Sequence, residues 1–269
     1  MIVQTAEAGT PHFVIRQVDH GRMCGQMARA FGNERFTPLE PRELMEFVTE
    51  YHDEGWRAFD DAPLRDPKTG LPHTLGTAPV PSLVALGHGS PGFNEAHHPF
   101  CGLLSAMHYW GVYHDRYGIM PKSLMGSPQG RPPILAMLAS EQERIERLTA
   151  ALAADPATAG LVAEPSLMDN YKRLQFFDML ALYFNLRHEG ERGEKVFDFV
   201  PAAPGQTEAV RVQPVEPGVY RLSPYPFRAA RMLLDCDGRY LAPVSEGEDV
   251  AAHLRAAPVV QQTFMLVAG

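Results

Sequence analysis

Leu167-Met-Asp-Asn-Tyr171-Lys-Arg-Leu-Gln175-Phe-Phe-Asp178-Met-Leu-Ala-Leu182-Tyr-Phe-Asn-Leu186 decides the reading of this chain. It carries no Gly or Pro and reads as one helix, apolar on nearly every side. Asp178 sits in its middle, flanked by Phe176, Phe177, Met179, Leu180, Leu182 and Tyr183. An ionised carboxylate buried among such residues costs several kcal/mol unless it is paired or holds a cation. Two partners satisfy it: a metal ion, or an arginine such as Arg173 or Arg187.

Moving toward the N-terminus, the next polar cluster is Tyr51-His52-Asp53-Glu54-Gly55-Trp56. It follows a helix that begins near Pro41 and shows Leu44, Phe47, Val48 and Tyr51 at i, i+3, i+4, i+7. Adjacent helical residues point about 100° apart. His52 and Asp53 can therefore reach one point from two directions. Earlier still, a helix through about Phe31, with Asp19 as its cap, presents Met23, Met27 and Phe31 at four-residue steps. His20 stands near its start.

In chain order, His20, His52-Asp53 and Asp178 resemble the H…HD…D signature of the HD-domain superfamily. Gly55 is similar to the glycine of its His-Asp-x-Gly form. The series Asp19-His-Gly-Arg-Met-Cys-Gly-Gln-Met-Ala28, the Tyr51–Trp56 cluster, a helix with Ser105 and His108, the Asp178 helix and Pro224-Tyr-Pro-Phe227 also resembles an uncharacterised bacterial family of unknown function, over nearly the whole chain.

The resemblance implies a mostly α fold, an HD-domain-like helical bundle over residues 1–195. Val196–Val200, Val210–Val212, Gly218–Leu222, Arg231–Leu234 and Gln261–Ala268 read as strands, so residues 196–269 form a small β-rich C-terminal appendage. It implies one or two divalent metal ions (Fe, Mn, Mg, Ni or Zn) held by His20, His52, Asp53 and Asp178. Binuclear relatives add histidines, for which His88, His97, His98, His108 and His114 are candidates. His108 is preferred, because it lies on an apolar helix where a bare imidazole needs a partner. The remaining histidines, His12, His73, His188 and His253, read as surface residues.

The implied activity is metal-dependent hydrolysis of a phosphate ester through metal-activated water, with Asp53 as the catalytic carboxylate. One departure bears on the substrate: Trp56 stands where many HD branches carry a lysine. Oxidation by a di-iron HD-type centre, and a non-catalytic metal- or ligand-binding module, are the alternatives.

Composition narrows the partners. The formal charge of −8 disfavours nucleic acid and points to a small-molecule substrate, phosphorylated in the hydrolase reading. Cys24, Cys101 and Cys236 form no CxxC pair and read as small buried residues of a reducing, cytoplasmic compartment. No apolar run approaches the ~20 residues that span a bilayer, and the N-terminus does not read as a signal peptide.

Elsewhere, residues 60–98 read as an irregular, Pro- and Gly-rich wall or lid with at most a short helix. Gly87-His-Gly-Ser-Pro-Gly92 reads as a loop, Gln129–Pro133 as a breaker and Asp237-Gly238 as a hairpin turn.

Overall fold

The computed structural model describes residues 1–120, 125 and 128–269. Two short strands, β1 (Ile2–Val3) and β2 (His12–Ile15), open the chain. Helices α1 (Gln17–Ala30) and α2 (Arg42–Tyr51) follow, then a tight turn at Glu54–Trp56 and α3 (Arg57–Asp61). The middle of the chain forms α4 (Val80–His97), α5 (Pro99–Gly111), α6 (Pro132–Ala154), α7 (Ala159–Val162) and α8 (Ser166–Leu186). The C-terminal part supplies β3 (Lys195–Ala203), β4 (Gln206–Glu216), β5 (Val219–Ser223), β6 (Arg231–Leu241), α9 (Val250–Ala256) and β7 (Val260–Ala268).

These strands join one sheet in the order β1-β2-β6-β7-β5-β4-β3. Pairing is antiparallel except between β5 and β7. The expected mostly α bundle with a small β-rich appendage is therefore corrected. The fold is α/β, 48% helix and 21% strand, with a curled, mixed sheet of seven strands as a full layer.

The reason is long-range pairing. Phe13 pairs with Tyr240 and Val14 with Arg239, closing the start of the chain onto its end. Gly238 makes that approach possible, because a Cβ there would lie 2.4 Å from the Phe13 ring and 2.8 Å from the Val14 carbonyl oxygen. Asp237-Gly238 is thus the interior of β6 and not a hairpin turn.

Helices and sheet share one core. Phe31, Phe177 and Phe184 from the helices meet Tyr220, Leu234, Phe264 and Leu266 from the strands. Full burial of each large apolar side chain contributes about 1.5–3 kcal/mol. The Gln26 side chain clamps α1 to β6, donating to the Asp235 carbonyl at 3.0 Å and accepting from its amide at 3.1 Å.

The segment 60–98 departs most from expectation. Its second half is the eighteen-residue helix α4, which contains the glycines read as a loop. Gly87 and Gly89 mark close packing. A Cβ on Gly87 would meet Met137 Sδ of α6 at 2.4 Å, and one on Gly55 would meet the Ser90 amide of α4 at 2.7 Å. Similarly, Pro132 and Pro133 begin α6, where a missing N–H is harmless.

On α2 the buried stripe is Met45, Val48 and Thr49, continued by His52. It is rotated by one position from the expected stripe, and it aims His52 inward. Among the described residues no helix is long and apolar enough to cross a membrane.

Candidate metal centre

Four segments deliver the centre. His20 and Cys24 lie one turn apart on the same face of α1. His52 caps the C-terminal end of α2, and Asp53 begins the turn after it. His108 lies on α5. Gln175, Asp178 and Asn185 form a polar stripe on α8 at helical spacing. Gly21 lets α1 and α2 meet, since a Cβ there would lie 2.4 Å from the Glu50 carbonyl oxygen.

The polar atoms converge. His20 Nε2 lies 3.1 Å from Asp178 Oδ1, and its Nδ1 lies 2.9 Å from Asn185 Oδ1. His52 Nδ1 bonds the Thr49 carbonyl at 2.9 Å, which aims Nε2 at the cluster. His52 Nε2 lies 3.7 Å from Asp53 Oδ2 and 3.8 Å from Asp178 Oδ1. It is buried without a hydrogen-bond partner. The ring centroids of His52 and His108 are 5.0 Å apart.

His20, His52, Asp53, His108 and Asp178 are therefore brought together. The other candidate histidines are not. His88 pairs with Glu141 at 2.7 Å, His97 stacks on Phe47, His98 caps α5 and His114 stacks on Trp110.

Asp178 also has a guanidinium partner, but neither Arg173 nor Arg187. Arg116 Nη1 donates to Asp178 Oδ2 at 2.5 Å and to Gln175 Oε1. Arg116 and Asp178 are each 3% exposed. The burial of Asp178 therefore does not by itself demand a metal. What distinguishes the site is the other oxygen, Oδ1, which faces the two imidazoles.

The electrostatics follow from these distances. Burial pushes the Asp178 carboxyl up, but Arg116, then His20 and His52, hold it well below the usual carboxylate range. Burial works against charge on His52, yet Asp53 and Asp178 raise its pKa to about 9. Burial and the neighbouring His52 lower that of His108 to about 4.

A cavity of about 50 Å³ opens onto the centre, enough for roughly three or four waters. It touches His20, Asp53, His108, Arg116 and Asp178, with apolar walls that include Trp56, Leu86 and Leu182. A larger open groove of about 820 Å³ lies against Tyr220 and Phe264 and holds none of these side chains.

Residues 1–243 match the family described as a protein of unknown function, DUF3891. The chain belongs to that family. Neither the curated proteins nor the solved structures contain a match.

Several participants in this DUF3891 chain were not singled out as site residues from sequence. Tyr109 donates to Asp53 Oδ1 at 3.0 Å, and its hydroxyl lies 3.2 Å from Ser90 Oγ, which accepts from the Gly55 amide at 2.9 Å. This chain of bonds ties Asp53 to α4 and α5. Gln175 bonds His108 Nδ1 at 3.2 Å. Gln175 and Asn185 were findable, because they repeat the signal of Asp178 on the same apolar helix. Arg116 gave no local signal.

Proposed function

We propose that this chain is a metal-dependent hydrolase of HD type in its ligand set, acting on a small molecule. His20, His52, Asp53 and Asp178 would hold a divalent cation, with His108 beside them. One observation carries the reading: a fully buried imidazole nitrogen, His52 Nε2, has no hydrogen-bond partner and faces two carboxylates at 3.7 and 3.8 Å. A buried polar atom left unpaired calls for an explanation such as an ion. The donor set of imidazoles and carboxylates suits a divalent cation.

Such a cation supplies Lewis acidity and lowers the pKa of water. Asp53 borders the cavity, held by the Tyr109 hydroxyl, and is the carboxylate placed to accept a proton there. Asn185 fixes the ring of His20, and the Thr49 carbonyl fixes that of His52, as outer partners of metal ligands do. The apolar walls exclude bulk water, and at about 50 Å³ the cavity admits the reacting group of a substrate and not its whole body. A phosphate ester is the substrate class the HD-type ligand order favours.

Oxidation by a di-iron centre is the second reading. It is favoured by the walls: among the described residues lining the cavity, Arg116 alone carries a fixed positive charge, and Asp178 already engages it.

The test is metal analysis of protein purified without added metal or chelator, then assay. Turnover of a phosphodiester and nucleotide panel supports hydrolysis. A stable di-iron spectrum after aerobic iron loading favours oxidation. Bound metal with no turnover in either assay indicates a binding module. Protein that retains no divalent metal and takes none up on addition sinks the proposal.

A further inference from the structure

Cys24 was expected to be a small buried packing residue. Its surroundings are more specific than that. Its sulfur lies 3.7 Å from His20 Nε2 on the same face of α1, and the only acceptor it approaches apart from the cluster is the Phe177 carbonyl at 3.7 Å, among the bonds of the described residues. The ligand atoms of His20, Cys24 and His52 all lie within 4.8 Å of one another. Asp178 Oδ1 adds an oxygen 3.1 Å from His20 Nε2 and 3.8 Å from His52 Nε2. The second sign of a missing ligand is His52 Nε2, buried with no hydrogen-bond partner.

We propose that Cys24 is a thiolate ligand of the centre, joining His20, His52 and Asp178 on the side away from the cavity and leaving the side of Asp53 and His108 open to water. The inference rests on the metal-centre reading above and adds the identity of the ion to it. Four donors around one ion at bond lengths of about 2.0–2.3 Å stand about 3.3–3.8 Å apart in a tetrahedron. Three of the six separations in this set, 3.1, 3.7 and 3.8 Å, lie close to that range, and His20, Cys24 and His52 fall together within 4.8 Å.

Binding at this position releases the Cys24 proton to solvent. A thiolate is a soft donor, so the set selects zinc or ferrous iron and discriminates against magnesium and manganese. The cavity touches His20, Asp53, His108 and Asp178 but neither Cys24 nor His52. Cys24 therefore belongs to the closed back of the centre, and Asp53 and His108 to the side a substrate reaches.

Cobalt(II) titration of the chelator-stripped, full-length chain tests this directly. The expected result for the wild type is a near-ultraviolet thiolate-to-cobalt charge-transfer band alongside visible cobalt bands. Cys24→Ser should lose the near-ultraviolet band, and its zinc affinity should fall by about tenfold or more. Cys101→Ser and Cys236→Ser should keep the band.

The wild-type spectrum is decisive without any variant. Cobalt bound with visible bands but no charge-transfer band overturns the role of Cys24 and leaves the His/Asp centre standing. Absence of both cobalt and zinc binding overturns the two readings together.

Discussion

Arg116 and Asp178 form a buried ion pair at 2.5 Å that uses one carboxylate oxygen and leaves the other to the histidines. The pair divides the labour of a single side chain: Oδ2 is neutralised by protein, and Oδ1 is presented to the centre. The backbone bends to allow it. Asp115, Arg116 and Tyr117 all lie in the left-handed region, at φ 52, 49 and 55°. That region costs a non-glycine residue roughly 1–2 kcal/mol. Three such residues in succession carry the guanidinium to Gln175 and Asp178 of α8.

Arg116→Ala should leave Asp178 uncompensated and destabilise the chelator-treated protein by about 3–5 kcal/mol. Added zinc should recover more stability in this variant than in the wild type, because both Asp178 oxygens then need a cation. Equal zinc shifts in urea melts of the two proteins would show that Asp178 does not meet the metal.

Asp178→Asn should abolish metal retention. The substitution also strands Arg116, so the double variant Asp178→Asn with Arg116→Gln is the proper comparison. Elemental analysis should find both at background. Metal content equal to the wild type in the double variant counts against Asp178 as a ligand.

Tyr109→Phe removes the hydroxyl that orients Asp53. Turnover should fall by about tenfold to a hundredfold, the usual effect of losing an outer partner. Metal content should be unchanged, and kcat should fall more than KM rises. A KM effect alone would move Tyr109 from positioning Asp53 to holding substrate.

Gly21→Ala pushes a methyl against the Glu50 backbone, where 2.4 Å is available. The helices carrying His20 and His52 must separate. Overpacking of this kind costs about 1–3 kcal/mol, and metal affinity should fall with stability. Denaturant melts paired with zinc titration measure both.

Asp60 gives a pH signature away from the centre. Its carboxylate accepts from the Val18 amide at 3.2 Å, so α3 caps the start of α1, whose N-cap residue, Arg16, supplies no side-chain cap. Burial raises its pKa from 3.8 to about 6, against the opposing charges of the Met1 amino group and Arg16. The native state thus holds a proton that the unfolded chain has released. Stability from this group is full below 3.8 and is lost as pH rises through about 6. Relative to Asp60→Asn, the wild type should lose on the order of 2–3 kcal/mol between about pH 4 and about pH 7. Parallel urea curves at the two pH values would remove this assignment.

The sequence by itself determined the local elements whose patterns are local: α1, α2, α5 and α8, strands β3, β4, β5 and β7, and the first part of β6. Asp178 and His108 stood out as polar groups on apolar helices that need partners, while His20, His52 and Asp53 came from the resemblance to the H…HD…D order. Tertiary structure decided what those partners are. Arg116 reaches Asp178 through a left-handed turn that no periodicity announces, and Cys24 acquires meaning only from what faces it. Gly87 and Gly89 of α4 look like a loop until α6 and the Gly55 turn are packed against them. The sheet closes through Phe13 and Tyr240, whose pairing lies across almost the entire chain, beyond the reach of any pattern that repeats over a few residues.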